Sequence, residues 1–237
     1  MPYRNMTLDD FARYVGMDAR EVARLAQRGK LPAERIGGEY RFNRAQVTDW
    51  LRRQMHLLDE PRLAALDEAL GRHGDVADEH LIVTEAMGLA GIDMDLRAGT
   101  KAAVLRRLVD LADRTGLLWD PDGLLDALQQ REALCPTALP GGVAMPHPRR
   151  PLPHATAESL ICLARVADGV GFGAEGGRLT YLFFLIVSHE DSEHLHQLAH
   201  LTRMLDEPTV GELLDTDDPT AALDLLIRRE RTLFGDD

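Results

Sequence analysis

His147 stands between Pro146 and Pro148, shortly after the Gly141–Gly142 pair, in the stretch PGGVAMPHPR. Each proline fixes its own φ and restrains the residue before it. The imidazole is therefore expected on a stiff, exposed corner at the end of a short strand, GGVAM. The paired glycines let another backbone approach closely. Imidazole titrates near neutral pH and offers a nucleophilic nitrogen. It can take a phosphoryl group without a metal, because that transfer asks chiefly for positioning and charge neutralisation. Such a histidine needs a cation and hydrogen-bond donors beside it. Arg131, sixteen residues upstream at the end of the preceding helix, carries a planar fork suited to phosphate oxygens. His194 falls in the first turn of the helix that follows SHEDSE. A helix start exposes amide N–H groups that favour an anion, and open α/β sheets bind ligands at the carboxyl ends of their strands.

Other reactive side chains read differently. His196 and His200 are spaced to chelate zinc from one helix face, with His189 near, but no Glu or Cys completes a familiar motif. The pair is read as a solvated polar face beside Arg203, and no metal or cofactor is expected. Cys135 and Cys162 give no disulfide framework; Cys135, next to Pro136, is read as a structural thiol. His56, His73, His80 and His154 carry no pattern.

A second kind of chemistry lies near the start of the chain. Arg20, Arg24 and Arg28 recur every four residues, opposite the apolar Val22, Leu25 and Ala26. Such a row can lie along a nucleic-acid groove and contact phosphates. Arg41 can add a phosphate contact from a neighbouring hairpin.

These residues need elements to hold them. Thr7 with Asp10, and Asp18 with Glu21, have capping-box spacing for two short helices, joined by the turn GMD. Gly37–Gly38 marks a hairpin turn. Asn43, with Gln46 at the box position, opens a third helix that turns Val47, Trp50 and Leu51 inward. Helix, turn, helix, hairpin and helix make a winged arrangement over residues 3–53. Residues 54–80 read as a charged linker helix starting at Pro61, with Leu63, Leu66 and Leu70 on one stripe. It is able to pack on either domain or to pair with its copy in a homodimer. From 81 to 233, helices alternate with strands. Thr100 and Asp120–Pro121 open helices, ESLICLARV and LTYLFFLIVS are buried strands, SEHLHQLAHLTRML is a helix, and Asp218–Pro219 starts the last one. The fold class is α/β, a mixed sheet flanked by helices on both faces, preceded by the small winged helix-turn-helix domain.

The totals agree. Residues 1–56 hold eleven basic and seven acidic residues, a charge of +4, and the remainder carries −16 of the overall −12. A basic head on an acidic body implies two modules with different partners. Twenty-five of the 27 basic residues are arginine, a bias that reflects genome composition more than function. No apolar run reaches the roughly 18 residues of a membrane span, and the first residues lack a secretory signal. A soluble cytoplasmic protein without membrane insertion is expected.

Two resemblances sharpen the reading. TLDDFARYVGMDAREVARLAQRGKLPAERIGGEYRFNRAQVTDWL resembles the excisionase/MerR-like winged helix-turn-helix domain, through GKLP before the hairpin, RIGG in the wing and the closing WL. This implies double-stranded DNA as a partner, though some such domains bind protein. REALCPTALPGGVAMPH, followed by GFGAEGGRLTYLFFLIV and EHLHQLAHLTRML, is similar to the phosphotransferase-system IIA component of the fructose/mannitol/nitrogen class. That likeness implies a phosphorylated His147, supplied by an HPr-like carrier or its nitrogen-branch counterpart. It makes His194 the second active-site histidine and Arg131 the phosphate-binding arginine, with support from Thr137 and Gly142. The family's TGIGNG is TALPGG here, and Pro148 replaces a small residue. A cysteine phospho-acceptor of the IIB type is not apparent. The expected function is a phosphocarrier coupled to transcriptional regulation. The alternatives are a carrier serving a separate IIB domain, with the head as a docking module, and a regulator that binds partners without being phosphorylated.

Overall fold

In the computed structural model, which describes residues 5–72 and 82–235, strand β1 (Asn5–Met6) runs into Thr7. Thr7 opens helix α1 (Leu8–Tyr14) with a reciprocal box: its hydroxyl accepts from the Asp10 amide and the Asp10 carboxylate accepts from the Thr7 amide. Asp18 caps α2 (Ala19–Gln27) by accepting from the amides of Arg20 and Glu21. Glu21 does not reach back as its spacing suggested; its carboxylate pairs with Arg24 and Arg62 instead. Strands β2 (Ala33–Ile36) and β3 (Glu39–Asn43) form the antiparallel wing, with β1 on the other side of β3. Asn43 then caps α3 (Arg44–Gln54).

The core of this part is small and aromatic. Phe11 stacks on Phe42 with ring centroids 4.2 Å apart, and Val22, Val47 and Leu51 close around them, all buried. Trp50 is half-buried, its ring 6.3 Å from Phe11. After a single tight turn at Met55–Leu57, Asp59 caps α4 (Glu60–Gly71), with Pro61 in its first turn. Leu63, Leu66 and Leu70 are buried as one stripe. The helix thus starts beside Pro61 as expected and runs to Gly71. Residues 73–81, with His73, Gly74 and His80, lie outside the described residues, as do residues 3–4 and the side chain of His56.

The chain divides into two compact units, Met1–Asp78 with Leu195–Arg203, and Glu79–His194 with Met204–Asp237. The second is built on β4 (Ile92–Asp93), α5 (Lys101–Asp113), α6 (Pro121–Leu134), β5 (Val143–Ala144), β6 (Leu160–Val170), β7 (Thr180–Val187), the first turn of α7 (Asp191–Met204), α8 (Glu207–Asp215) and α9 (Pro219–Phe234). Leu195–Arg203 of α7 cluster with the first unit. Thr100, Asp120 and Asp218 cap α5, α6 and α9 at the residues where the sequence places helix starts. The sheet order is β4-β6-β7-β5. β6 and β7 are antiparallel, while β4 and β5 run parallel to their neighbours, so the sheet is mixed.

β7 is apolar almost throughout because both of its faces are covered. Phe183, Leu185 and Val187 join Leu160, Cys162 and Ala164 against α5 and α6. The alternate residues Leu182, Phe184, Ile186, Ile161 and Leu163 are just as deeply buried. Each such side chain contributes about 1.5–3 kcal/mol when removed from water. The buried Glu230 of α9 accepts from the amides of Val83 and Thr84, tying residues that precede the sheet to the last helix. No helix of the described residues is long and apolar enough to cross a membrane.

Candidate functional site

β5 and β7 are parallel neighbours, so their carboxyl ends open on the same edge of the sheet. His147 follows β5 and Ser188 follows β7, and this brings the predicted histidine pair together. The rings of His147 and His194 are 4.8 Å apart, tilted by 53°. The Pro146 carbonyl accepts from the Ile186 amide at 3.0 Å, which fastens the proline frame to β7. Nδ1 of His147 lies 2.7 Å from the Met145 carbonyl oxygen. A carbonyl only accepts, so Nδ1 carries the proton and the lone pair of the neutral ring sits on Nε2. Nδ1 of His194 is 3.1 Å from the Ser188 hydroxyl.

The expected exposed corner is not what forms. His147 is 4 % exposed and His194 3 %, and Pro146 and Pro148 are buried with them. The prolines do hold the ring, but against the end of β7 and the second histidine rather than out into solvent.

Arg131 lies in the last turn of α6, buried, with Nη1 donating to the Cys135 carbonyl at 2.7 Å. Its neighbour Glu132 organises the loop. Its carboxylate accepts from the Thr137 amide at 3.1 Å, from the Thr137 hydroxyl, and from Lys101 Nζ at 2.8 Å. Lys101 in turn lies over the Phe172 ring, 4.7 Å from its centroid. The Thr137 hydroxyl proton is thus engaged by Glu132, and Thr137 serves to tether the loop. Gly142 has its carbonyl bonded to the amides of Tyr181 and Leu182, and a Cβ there would meet the Tyr181 ring at 3.1 Å. Neither Glu132 nor Lys101 was singled out from the sequence, yet a signal existed. A carboxylate in the last turn of a helix and an ammonium in the first turn both oppose the helix dipole, and each is tolerated here because they pair.

On the first unit, Arg20 and Arg24 of α2 line a concavity with Ala23, Gln27, Arg35 and Tyr40. Arg28, the last of the row, is exposed at the end of α2. Arg41 does not join them. Its guanidinium pairs with Glu39 at 2.7 Å, and the wing register explains why. Arg35 is paired with Tyr40 and Glu34 with Arg41, so Arg41 lies on the opposite face of the ribbon. Arg35 takes the expected place, its guanidinium 5.7 Å from the Tyr40 ring centroid.

His196 and His200 correct the sequence reading too. They are not a solvated face: His200 is 5 % exposed, and both rings approach the buried Asp67 of α4. Burial works to raise the Asp67 pKa, but hydrogen bonds from His196, His200 and Arg203 outweigh it and hold the carboxyl well below the usual range. His189 stands apart, with Nε2 3.0 Å from the Thr156 hydroxyl.

This combination of a mixed sheet, a histidine pair at the carboxyl ends of its strands and a winged helix-turn-helix defines a class that comparison makes specific. The chain belongs to the family described as the phosphoenolpyruvate-dependent sugar phosphotransferase system, EIIA 2, which matches residues 89–229. Residues 6–55 match a helix-turn-helix domain family. Over 138 residues the chain is 30 % identical to a fructose-specific EIIA component of Haloferax volcanii, covering 57 % of this chain and 88 % of that protein. It is 25 % identical to the fructose-specific EIIABC component of Bacillus subtilis over 63 % of this chain, but spans only 24 % of that relative's length. Among solved structures, the Escherichia coli complex of enzyme IIA of the mannitol system with phosphorylated enzyme IIB matches with a TM-score of 0.52 and 26 % identity, covering 60 % of this chain and 96 % of that one.

Proposed function

We propose that this chain accepts a phosphoryl group on Nε2 of His147 from an HPr-like carrier and that the phosphorylation state governs DNA binding by its winged module. The observation that carries the reading is the His147–His194 pair with Nδ1 of His147 hydrogen-bonded to a backbone carbonyl. That bond fixes the tautomer and aims the nucleophilic lone pair from Nε2. In the transfer, a bond forms between Nε2 and phosphorus as the phosphorus–nitrogen bond of the donor's phosphohistidine breaks. Arg131 supplies positive charge for the phosphoryl oxygens. We assign the Ser188 hydroxyl as the donor to Nδ1 of His194, the tautomer that leaves a proton on Nε2 for the same oxygens. In a buried site such donors count for more than in water. Because His147 is so little exposed, a protein donor that reshapes the rim on docking is expected to outpace small-molecule phosphodonors.

Phosphorylation adds about 1.5–2 negative charges to a body that is already acidic. The basic face that Arg20, Arg24 and Arg35 share, with Arg28 exposed at the end of α2, supports duplex DNA as the partner of the head. A second reading, relay of the phosphoryl group to a IIB domain, is favoured by one observation: the Escherichia coli relative was solved in complex with phosphorylated enzyme IIB.

The test uses the full chain with phosphoenolpyruvate, enzyme I and HPr. The expected outcome is one phosphate per chain, lost in His147→Ala, and a duplex affinity that differs between the two states at fixed salt. No label on His147 rejects the carrier reading. Labelling with equal DNA affinities rejects the coupling and leaves the relay.

A further inference from the structure

Asp67 is 2 % exposed, and the side chains of α7 converge on it within the first unit. His200 Nδ1 is 2.9 Å and His196 Nε2 3.3 Å from the same carboxylate oxygen, Oδ1. Arg203 Nη1 lies 2.7 Å from the other oxygen, Oδ2, while its Nε lies 3.1 Å from Glu60. One oxygen and two nitrogens, all within 4.8 Å of one another, make a three-pronged donor set. We propose that Asp67, His196 and His200 bind one divalent transition-metal ion of the zinc class.

The chemistry of the donors selects the ion. Two imidazoles and a carboxylate suit zinc and its first-row neighbours, whereas magnesium and calcium favour all-oxygen sites. Zinc bonds of about 2.0–2.1 Å in a tetrahedron set ligand atoms about 3.3 Å apart. The two oxygen–nitrogen separations, 2.9 and 3.3 Å, are within a few tenths of an ångström of this value, and the two nitrogens, within 4.8 Å of each other, close on a shared ion by rotation of the rings. The helix supplies the rest of the geometry, since residues four apart share a face.

The surroundings also fit. Ligating carboxylates are commonly fixed by an outer hydrogen bond, and Arg203 does this on Oδ2 while leaving Oδ1 directed at the histidines. Its charge opposes a cation, but Glu60 sits on the far side of the guanidinium and offsets it. Gly71 leaves room for the His196 ring; a Cβ there would lie 3.3 Å from Nε2. Three protein donors leave a fourth position for water, reached past the partly exposed His196.

The experiment titrates tag-free full-length protein with Co²⁺ and then displaces it with Zn²⁺. The expected result is one equivalent with the intense visible absorption of tetrahedral cobalt, bleached by zinc. His196→Gln and Asp67→Asn are each expected to weaken binding by about tenfold or more, and His147→Ala to leave it intact. Zinc raises the Tm of the wild type but not of His196→Gln. Absence of stoichiometric binding overturns the proposal. So does binding that survives His196→Gln, or that vanishes with His147→Ala, which would put the ion at the other histidine pair. Should a variant fail to fold, X-ray absorption of the zinc-loaded wild type decides: scattering from two imidazoles with oxygen supports the site, and any other count of imidazoles overturns it.

Discussion

Cys162 lies near the start of β6, fully buried, and removal from water pushes its thiol up to about 12 from 9.0. Cys135 is exposed at the end of α6. Because the thiolate is the reactive form, a maleimide at pH 8 is expected to label one thiol per native chain and two in denaturant. Two fast thiols in the native protein would show that this strand opens. Linkage gives the sign of the pH effect. A folded pKa raised above the unfolded one stabilises fully below about pH 9, and that contribution is lost as pH rises toward 12. At the same scale, His147 illustrates what a sequence holds and what it withholds. Its flanking prolines announce a fixed ring, and the fixed ring is there. Its burial depends on β7 and His194, which are distant in sequence, and no local pattern encodes them.

Helix caps were legible element by element, because a side chain that satisfies free amides has a strict spacing. The same rule exposes an omission. Asp206, with Pro208 close behind, caps α8 in the manner of Asp120–Pro121, yet this short helix is absent from the sequence reading. Two-residue β4 offers no period at all. In the wing, period-two reasoning was available: Phe42 faces the core, so Tyr40 shares its face and Arg41 does not. The contact of Asp67 with His200 was not available, since it joins elements more than a hundred residues apart. The turn between α1 and α2 yields a prediction. Gly16 has φ +67°, and a Cβ there would lie 2.3 Å from the Ala65 carbonyl oxygen of α4. Gly29 has φ +66° but faces open space. Gly29→Ala is expected to cost about 1–2 kcal/mol for its backbone conformation alone. Gly16→Ala adds a clash and is expected to cost roughly 1–3 kcal/mol more. Urea midpoints of the two variants measure the difference, and equal values would mean that α4 yields.

Across the whole molecule, charge is divided between a head of +4 and a remainder of −16. Net acidity opposes DNA overall, so the proposed DNA binding has to come from a local basic face, and its salt dependence would count the contacts. If Arg20, Arg24, Arg28 and Arg35 each neutralise one phosphate, log affinity for random duplex falls against log salt with a slope of about −3 to −4. Arg35→Ala is expected to reduce that slope by about 1, and Arg41→Ala to leave it unchanged. A slope insensitive to Arg35 would place the contacts on another face. The buried central strand has a consequence of a different kind. TYLFFLIV in β7 contains no charge, proline or glycine, the composition of segments that stack into cross-β fibrils when exposed. In the native sheet β6 and β5 flank it, but in the denatured chain nothing guards it. Heating should therefore end in precipitation rather than reversible melting, and the protein's practical lifetime at high temperature is governed by how fast it unfolds.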